Sequence, residues 1–92
     1  MTVLDILVVT MGFSDSGRNV LGDVRFSLRD GSGTARSLTM RCQCPVSKRI
    51  RPDALLIGDA IRQLRRMPEI RSGETRLSFA KGLKPLDRAQ AA

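Results

Sequence analysis

The opening segment, Val3–Met11, constrains the fold most, because it is apolar on both faces of any strand that it forms. It reads Val-Leu-Asp-Ile-Leu-Val-Val-Thr-Met and is interrupted only by Asp5 and Thr10. Its β-branched residues favour a strand, and a strand that is apolar on two sides is typical of the interior of a sheet. Both faces of this strand must therefore be covered, and the chain offers only one amphipathic helix to cover them.

Two further strands are predicted from alternating polar and apolar residues. The second spans Val20–Arg29 and the third spans Thr34–Gln43. Residues 13–19 are rich in turn formers and predict the first loop, while residues 30–33, Asp-Gly-Ser-Gly, predict a hairpin turn. Pro45 is expected to end the third strand, because proline cannot donate a hydrogen bond to a sheet ladder. These three strands should form an antiparallel meander.

From Pro52 to Met67 the apolar residues recur with the period of an α-helix. Proline is tolerated in the first turn of a helix, and Asp53 suits its positive end. Pro68 is expected to end the helix, and Thr75–Ala80 alternates as a short last strand after a loop. The apolar arc of the helix consists of Ala54, Leu56, Ile57, Ala60, Ile61, Leu64 and Met67.

The predicted fold class is α+β with the order β-β-β-α-β. We expect a four-stranded mixed sheet with strand order 3-2-1-4 and one helix packed on one face, the last strand running parallel to the first after a right-handed crossover. With 92 residues the chain is too short for a second core. A single domain is therefore predicted over residues 1–86, followed by a flexible tail over residues 87–92.

One face of this sheet has no helix to cover it. Because a buried carboxylate is unfavourable unless it is paired, Asp5 is assigned to the open face. Strict alternation then places Leu4, Ile6 and Val8 under the helix. The residues assigned to the open face are Val3, Asp5, Leu7, Val9 and Met11.

Leu7, Val9 and Met11 would thus form an apolar strip on a polar face, and such strips commonly mark interfaces. We expect a homodimer, which is the commonest assembly of soluble proteins. The alternative is that the tail folds back over the strip through Leu83 and Leu86.

The chain is strongly basic, with 16 Lys and Arg residues against 9 Asp and Glu residues and a net charge of +7. Such a field favours nucleic acids or acidic proteins as partners, although a solvated basic surface would have the same composition. Nucleic-acid platforms normally stack bases on aromatic residues, and Phe26 and Phe79 are assigned to the core, so binding would involve backbone phosphates. The candidate anion-binding residues are Arg25, Arg29, Arg41 and Arg76 on the open face and Lys48, Arg49 and Arg51 before the helix.

No motif for catalysis or for a cofactor is recognisable. The chain has no His to activate a nucleophile, and its carboxylates are dispersed. Cys42 and Cys44 supply two thiols with C-x-C spacing, whereas a structural zinc ion needs four ligands, which only a dimer of this chain could offer. We therefore predict a non-enzymatic protein without a metal or cofactor.

The N-terminal residues lack the layout of a signal peptide, and no apolar run is long enough to span a bilayer. We expect a cytoplasmic protein that does not enter a membrane and whose two cysteines are free thiols. The predicted function is that of a protein-interaction module that self-associates. The alternative is a nucleic-acid-binding protein that uses the basic sheet face and the connector before the helix.

Overall fold

The predicted α+β architecture and the strand order 3-2-1-4 are confirmed by a computed structural model, which describes residues 1–73 and 76–80. β1 pairs antiparallel with β2, β2 pairs antiparallel with β3, and β4 runs parallel to β1. The start of the predicted last strand at Thr75 and the tail with Leu83 and Leu86 lie outside the described residues. The elements are β1 (Thr2–Phe13), β2 (Asn19–Arg29), β3 (Ala35–Pro45), α1 (Pro52–Arg65), α2 (Pro68–Arg71) and β4 (Ser78–Phe79).

The hairpin between β2 and β3 forms where the turn residues predict it. The Asp30 carboxylate accepts hydrogen bonds from the Ser32 hydroxyl and from the backbone N–H groups of Ser32 and Thr34. These bonds lower the pKa of Asp30, and the bond from the Ser32 hydroxyl contributes most. Gly33 has φ 86°, a conformation that favours glycine. Side chains and backbone therefore both fix the register of β2 against β3.

The prediction that Val3 lies on the open face and Leu4 under the helix is wrong. Val3 is opposite Leu28, but Asp5 is opposite Ser27, so Leu4 is an extra residue in a β-bulge. A bulge reverses the alternation, and Val3 is consequently fully buried in the core. The interpretation of Asp5 as an exposed residue is confirmed.

A second bulge at Val9 reverses the alternation again. Val8 is opposite Val24 and Thr10 is opposite Asp23, so the next residue, Met11, lies opposite Gly22 on the helix face. The prediction of one apolar strip formed by Leu7, Val9 and Met11 on the open face is therefore wrong. The open face instead carries Thr10, whose hydroxyl donates to the Asp23 carboxylate and accepts from the Asp23 backbone N–H, both at 3.0 Å.

Helix α1 packs on one face of the sheet through its predicted arc. It ends at Arg65, two residues earlier than predicted, and α2 begins at Pro68 where a loop was expected. Proline fits the first turn of a new helix, so this residue begins α2 as well as limiting α1. The buried residues of α1 are Ala54, Leu56, Ala60, Ile61 and Leu64, and the strands contribute Val3, Val20, Val24, Phe26, Leu28, Cys42 and Cys44.

Leu56 lies over the sheet at Gly22, where the backbone of Thr10 also approaches closely. A side chain at position 22 would collide with both. In the described part of the chain, no helix combines the length and the apolar character needed to cross a bilayer.

Candidate interaction surface

In the described part of the chain, only the N-terminal end of β1 lies between two other strands. The backbone N–H of Ser78 donates to Met1 and that of Ala80 to Val3, and β4 pairs with Thr2 and Val3 alone. From Asp5 to Phe13, no strand within residues 1–73 and 76–80 pairs with the outer side of β1. We name this stretch the β1 edge. The prediction of an interior first strand thus holds for its first residues only.

The β1 edge carries four large apolar side chains that are about half exposed. The exposed fractions are 53% for Leu7, 42% for Val9, 50% for Met11 and 54% for Phe13. Leu7 lies opposite Arg25 on the open face, whereas Met11 and Phe13 lie opposite Gly22 and Val20 on the helix face. The apolar surface therefore continues around the edge from one face to the other.

Phe13 belongs to this surface although the sequence predicts it to lie in a loop. β1 extends to Phe13, which pairs with Val20. The signal in the sequence is an aromatic residue directly before a run of turn formers, where the last strand position usually lies.

Met11 and Phe13 are exposed because α1 is displaced towards β3. The helix lies mainly over β2 and β3 and only partly over β1. On one flank of α1, Asp59 and Gln63 bond to β3. On the other flank, the Arg65 guanidinium lies 5.9 Å from the Phe79 ring centroid of β4. The end of β1 beyond Val8 therefore extends past the cover that α1 provides.

The displacement of α1 towards β3 also brings helix side chains to the outer edge of β3. Gln63 Nε2 donates to the Arg41 carbonyl (2.9 Å), and the Gln43 backbone N–H donates to Asp59 Oδ2 (3.3 Å). Gln63 Nε2 also donates to Asp59 Oδ2 (3.1 Å), and Arg62 pairs with Asp59 at 3.1 Å, as its spacing predicts. We name Arg41–Gln43 with these helix side chains the β3 edge. Two of its backbone groups, the Arg41 carbonyl and the Gln43 N–H, are thus occupied by helix side chains, which hinders pairing with another strand there.

The β1 edge also contains no cation. Residues 1–13 contain no Lys or Arg, and Asp5 is their single charged side chain. The Asp5 carboxylate accepts the Ile6 backbone N–H at 2.9 Å. A surface that is apolar and free of cations suits contact with another protein better than contact with phosphate.

The predicted anion-binding residues are distributed over three places. Arg25, Arg29 and Arg41 lie on the open face, where Arg41 is 3.4 Å from the Asp23 carboxylate. Arg76 is exposed beside the N-terminus, and its carbonyl accepts the terminal amine of Met1. The open face therefore holds both signs of charge rather than a continuous basic platform.

The third place is the end of the sheet where β3 leads into α1. The Val46 backbone N–H donates to the Arg18 carbonyl (2.8 Å), which joins the loop before β2 to the connector. We name the exposed residues Arg18, Lys48, Arg49 and Arg51 the basic end. Arg51 is 3.4 Å from the Asp53 carboxylate. The sequence reading missed Arg18, because its proximity depends on a hydrogen bond between two loops.

Both cysteines are free thiols in the core, as predicted. Burial, assisted by the charge of Asp59, raises the pKa of Cys42 to about 11, and burial also raises that of Cys44. The thiolate form needed for nucleophilic chemistry is thus disfavoured. Among the described side chains, no group of three or more His, Cys, Asp or Glu residues could hold a metal ion.

Comparison with family models, with curated proteins and with solved structures gives no match for this chain.

Proposed function

We propose that this protein is a non-enzymatic interaction module that forms a homodimer through the β1 edge. The observation that supports the proposal most directly is the difference between the two sides of the sheet. The β1 edge has no partner strand among the described residues and carries half-exposed Leu7, Val9, Met11 and Phe13. An edge of this kind is a template for pairing with another chain.

The charge distribution favours a second copy as the partner. Two chains of charge +7 repel each other over most of their surfaces. The β1 edge is the region where they can meet without bringing cations together, because residues 1–13 contain none. A twofold arrangement brings the same surface of each copy into the contact.

Light scattering behind a sizing column at micromolar concentration tests the proposal. We expect twice the 10.1 kDa mass of one chain. The Leu7→Lys substitution should shift the protein towards the monomer, because it replaces an apolar side chain of the contact and adds a cation to the edge of each copy. Thr39→Lys is the matched control, since Thr39 lies on the same row of the open face, two strands away, opposite Arg25. A wild-type mass of 10.1 kDa at micromolar concentration would contradict the proposal.

A second candidate function is binding of single-stranded nucleic acid at the basic end. Its support is the hydrogen bond that brings Arg18 to the connector with Lys48 and Arg49, at the end of the sheet where Phe13 is exposed. Cations can contact phosphates there, and an exposed ring can stack on a base.

Filter binding of a mixed oligonucleotide at low and at moderate salt tests this second candidate. We expect retention that falls steeply with salt, and that is lost in the Lys48→Glu/Arg49→Glu double variant. Arg66→Glu/Arg71→Glu, at two exposed arginines beyond the other end of α1, is the control for the same change in net charge. Absence of retention at low salt would contradict the candidate function.

We further propose a cytoplasmic location, on the basis of the two free thiols, which a reducing compartment maintains. Fractionation of the cells that produce the protein should recover it with the cytoplasmic marker. Recovery with an extracellular or periplasmic marker would contradict this location.

A further inference from the structure

We propose that two copies join through β1 paired antiparallel with β1 of the partner, so that their sheets form one continuous sheet across a twofold axis. This inference rests on the self-association proposed above. It names the geometry of the contact, which three independent features of the β1 edge define: its charge, its bulge and the position of α1.

The charge of Asp5, near one end of the β1 edge, favours the antiparallel direction. In an antiparallel pair the Asp5 side chains of the two copies lie at opposite ends of the contact. In a parallel pair the two Asp5 carboxylates would lie side by side, which is unfavourable.

The bulge at Val9 restricts the register. Residues that pair across a sheet share a face, and in a continuous sheet the helix face of one copy continues into the helix face of the other. Up to Val8 the even-numbered residues of the β1 edge lie on the helix face, whereas after Val9 the odd-numbered ones do. An antiparallel register that pairs residues before the bulge with residues after it therefore keeps the faces matched only if the two paired residue numbers add to an odd sum.

One such register brings the apolar residues of the two copies together on both faces. With the twofold axis between Val9 and Thr10, Ile6 pairs with Phe13 of the partner subunit and Val8 pairs with Met11 of the partner subunit, all on the helix face. On the open face, Leu7 pairs with Gly12 of the partner subunit, where a side chain meets no obstruction. Each half-exposed apolar residue of the β1 edge thus gains a neighbour.

The position of α1 leaves room for this contact. Because α1 is displaced towards β3, the helices of the two copies stand back from the axis on the same face of the joined sheet. The β3 edges become the two outer edges, and at each of them the Arg41 carbonyl and the Gln43 N–H are already bonded to Gln63 and Asp59. These bonds hinder the addition of a further copy.

Disulfide cross-linking tests the register. An equimolar mixture of Leu7→Cys chains and Gly12→Cys chains should give a covalent dimer on oxidation, because paired residues have Cα atoms about 4.5–5.5 Å apart, within disulfide range. Each variant alone should not cross-link, since its two cysteines would be about 16 Å apart along the strands. The wild-type chain, whose cysteines are buried, controls for cross-links through Cys42 and Cys44.

The apolar pair on the helix face provides a second test. Val8→Ala and Met11→Ala should each weaken the dimer about three- to tenfold, and the double variant should weaken it by less than the product of the two effects, because the two residues pair across the axis. If the wild type is dimeric but the mixture does not cross-link, or Leu7→Cys cross-links alone, or the two substitutions have no effect, the antiparallel register is wrong and self-association stands. A monomeric wild type would overturn both proposals.

Discussion

The two sides of this sheet end in different ways. At the β3 edge, the backbone groups of Arg41 and Gln43 bond to Gln63 and Asp59 of the helix. At the β1 edge, no described strand pairs with the outer side of the chain from Asp5 to Phe13. One helix can close one side of a four-stranded sheet, and the connection from β3 places it on that side.

The residues of the two edges also differ in how strongly they hinder pairing with another strand. β3 carries Arg36 and Arg41 and ends at Pro45, and charged residues and proline on an outer strand hinder unwanted pairing. The first 13 residues of the chain contain no Lys, Arg or Pro. Protection against pairing is therefore concentrated at the β3 edge, and this difference supports the β1 edge as the proposed contact.

The largest effect is expected at Gly22, because the position of α1 over the sheet depends on it. In Gly22→Ala the new Cβ would collide with the Thr10 carbonyl oxygen and approach Leu56 Cδ1 to 2.8 Å. We expect the free energy of unfolding to fall by about 3 kcal/mol, measured by urea denaturation. The displaced helix should also open the β3 edge and thereby remove the difference between the two sides.

Gly58→Ala is the matched control for Gly22→Ala. A Cβ at Gly58 meets nothing within 4 Å, and alanine is favoured over glycine in a helix. The free energy of unfolding should rise by up to about 1 kcal/mol. Equal destabilisation by the two substitutions would show that the close approach at Gly22 does not hold α1 in place.

The next effect concerns the closure of the β3 edge itself. Gln63→Ala removes the donor to the Arg41 carbonyl, and we expect a loss of about 1–2 kcal/mol in the free energy of unfolding. The second edge becomes available, so light scattering should detect assemblies larger than a dimer. Arg62→Ala, one residue away, should change stability by no more than about 0.5 kcal/mol and leave the assembly unchanged.

A smaller effect is expected at alkaline pH, because Cys42 lies beneath the closed edge. Its pKa is about 11 in the folded state against the usual 9.0, so above pH 9 the unfolded chain loses a proton that the folded chain keeps. The contribution to stability is therefore complete below pH 9 and is lost as the pH rises towards 11.

Urea midpoints of the wild type and Cys42→Ala, compared on either side of pH 9, measure this contribution. The wild type should lose more stability than the variant as the pH rises. Identical slopes for the two proteins would contradict a buried, protonated thiol.

The smallest effect on stability is expected at the N-terminal end of β1, where β4 pairs with it. Arg65→Ala removes the guanidinium above the Phe79 ring, which contributes about 0.5–1 kcal/mol at an exposed site. Arg66→Ala, the next exposed residue, should have no measurable effect on the urea midpoint. If the two variants behave alike, the Arg65 contact does not stabilise β4.

The sequence predicted the fold more accurately than the interaction surface. The element types, the strand order and the buried arc of α1 follow from alternation, helical period and turn residues. The assignment of Val3 and Met11 to the open face failed, because each bulge in β1 reverses the alternation without a glycine or proline to mark it. Phe13 and Arg18 were missed because their exposure and their neighbours depend on contacts with other segments.

The sequence by itself determined that a strand apolar on both sides shares this chain with a single long amphipathic helix, since periodicity is a local property. Only the tertiary structure decided that, among the described residues, this strand is interior at Thr2 and Val3 and an edge from Asp5 onwards. The extent of β4 and the displacement of α1 towards β3 set that division. Both result from contacts between residues that are far apart in sequence, such as the hydrogen bond from Gln63 to the Arg41 carbonyl. No local sequence pattern specifies such contacts.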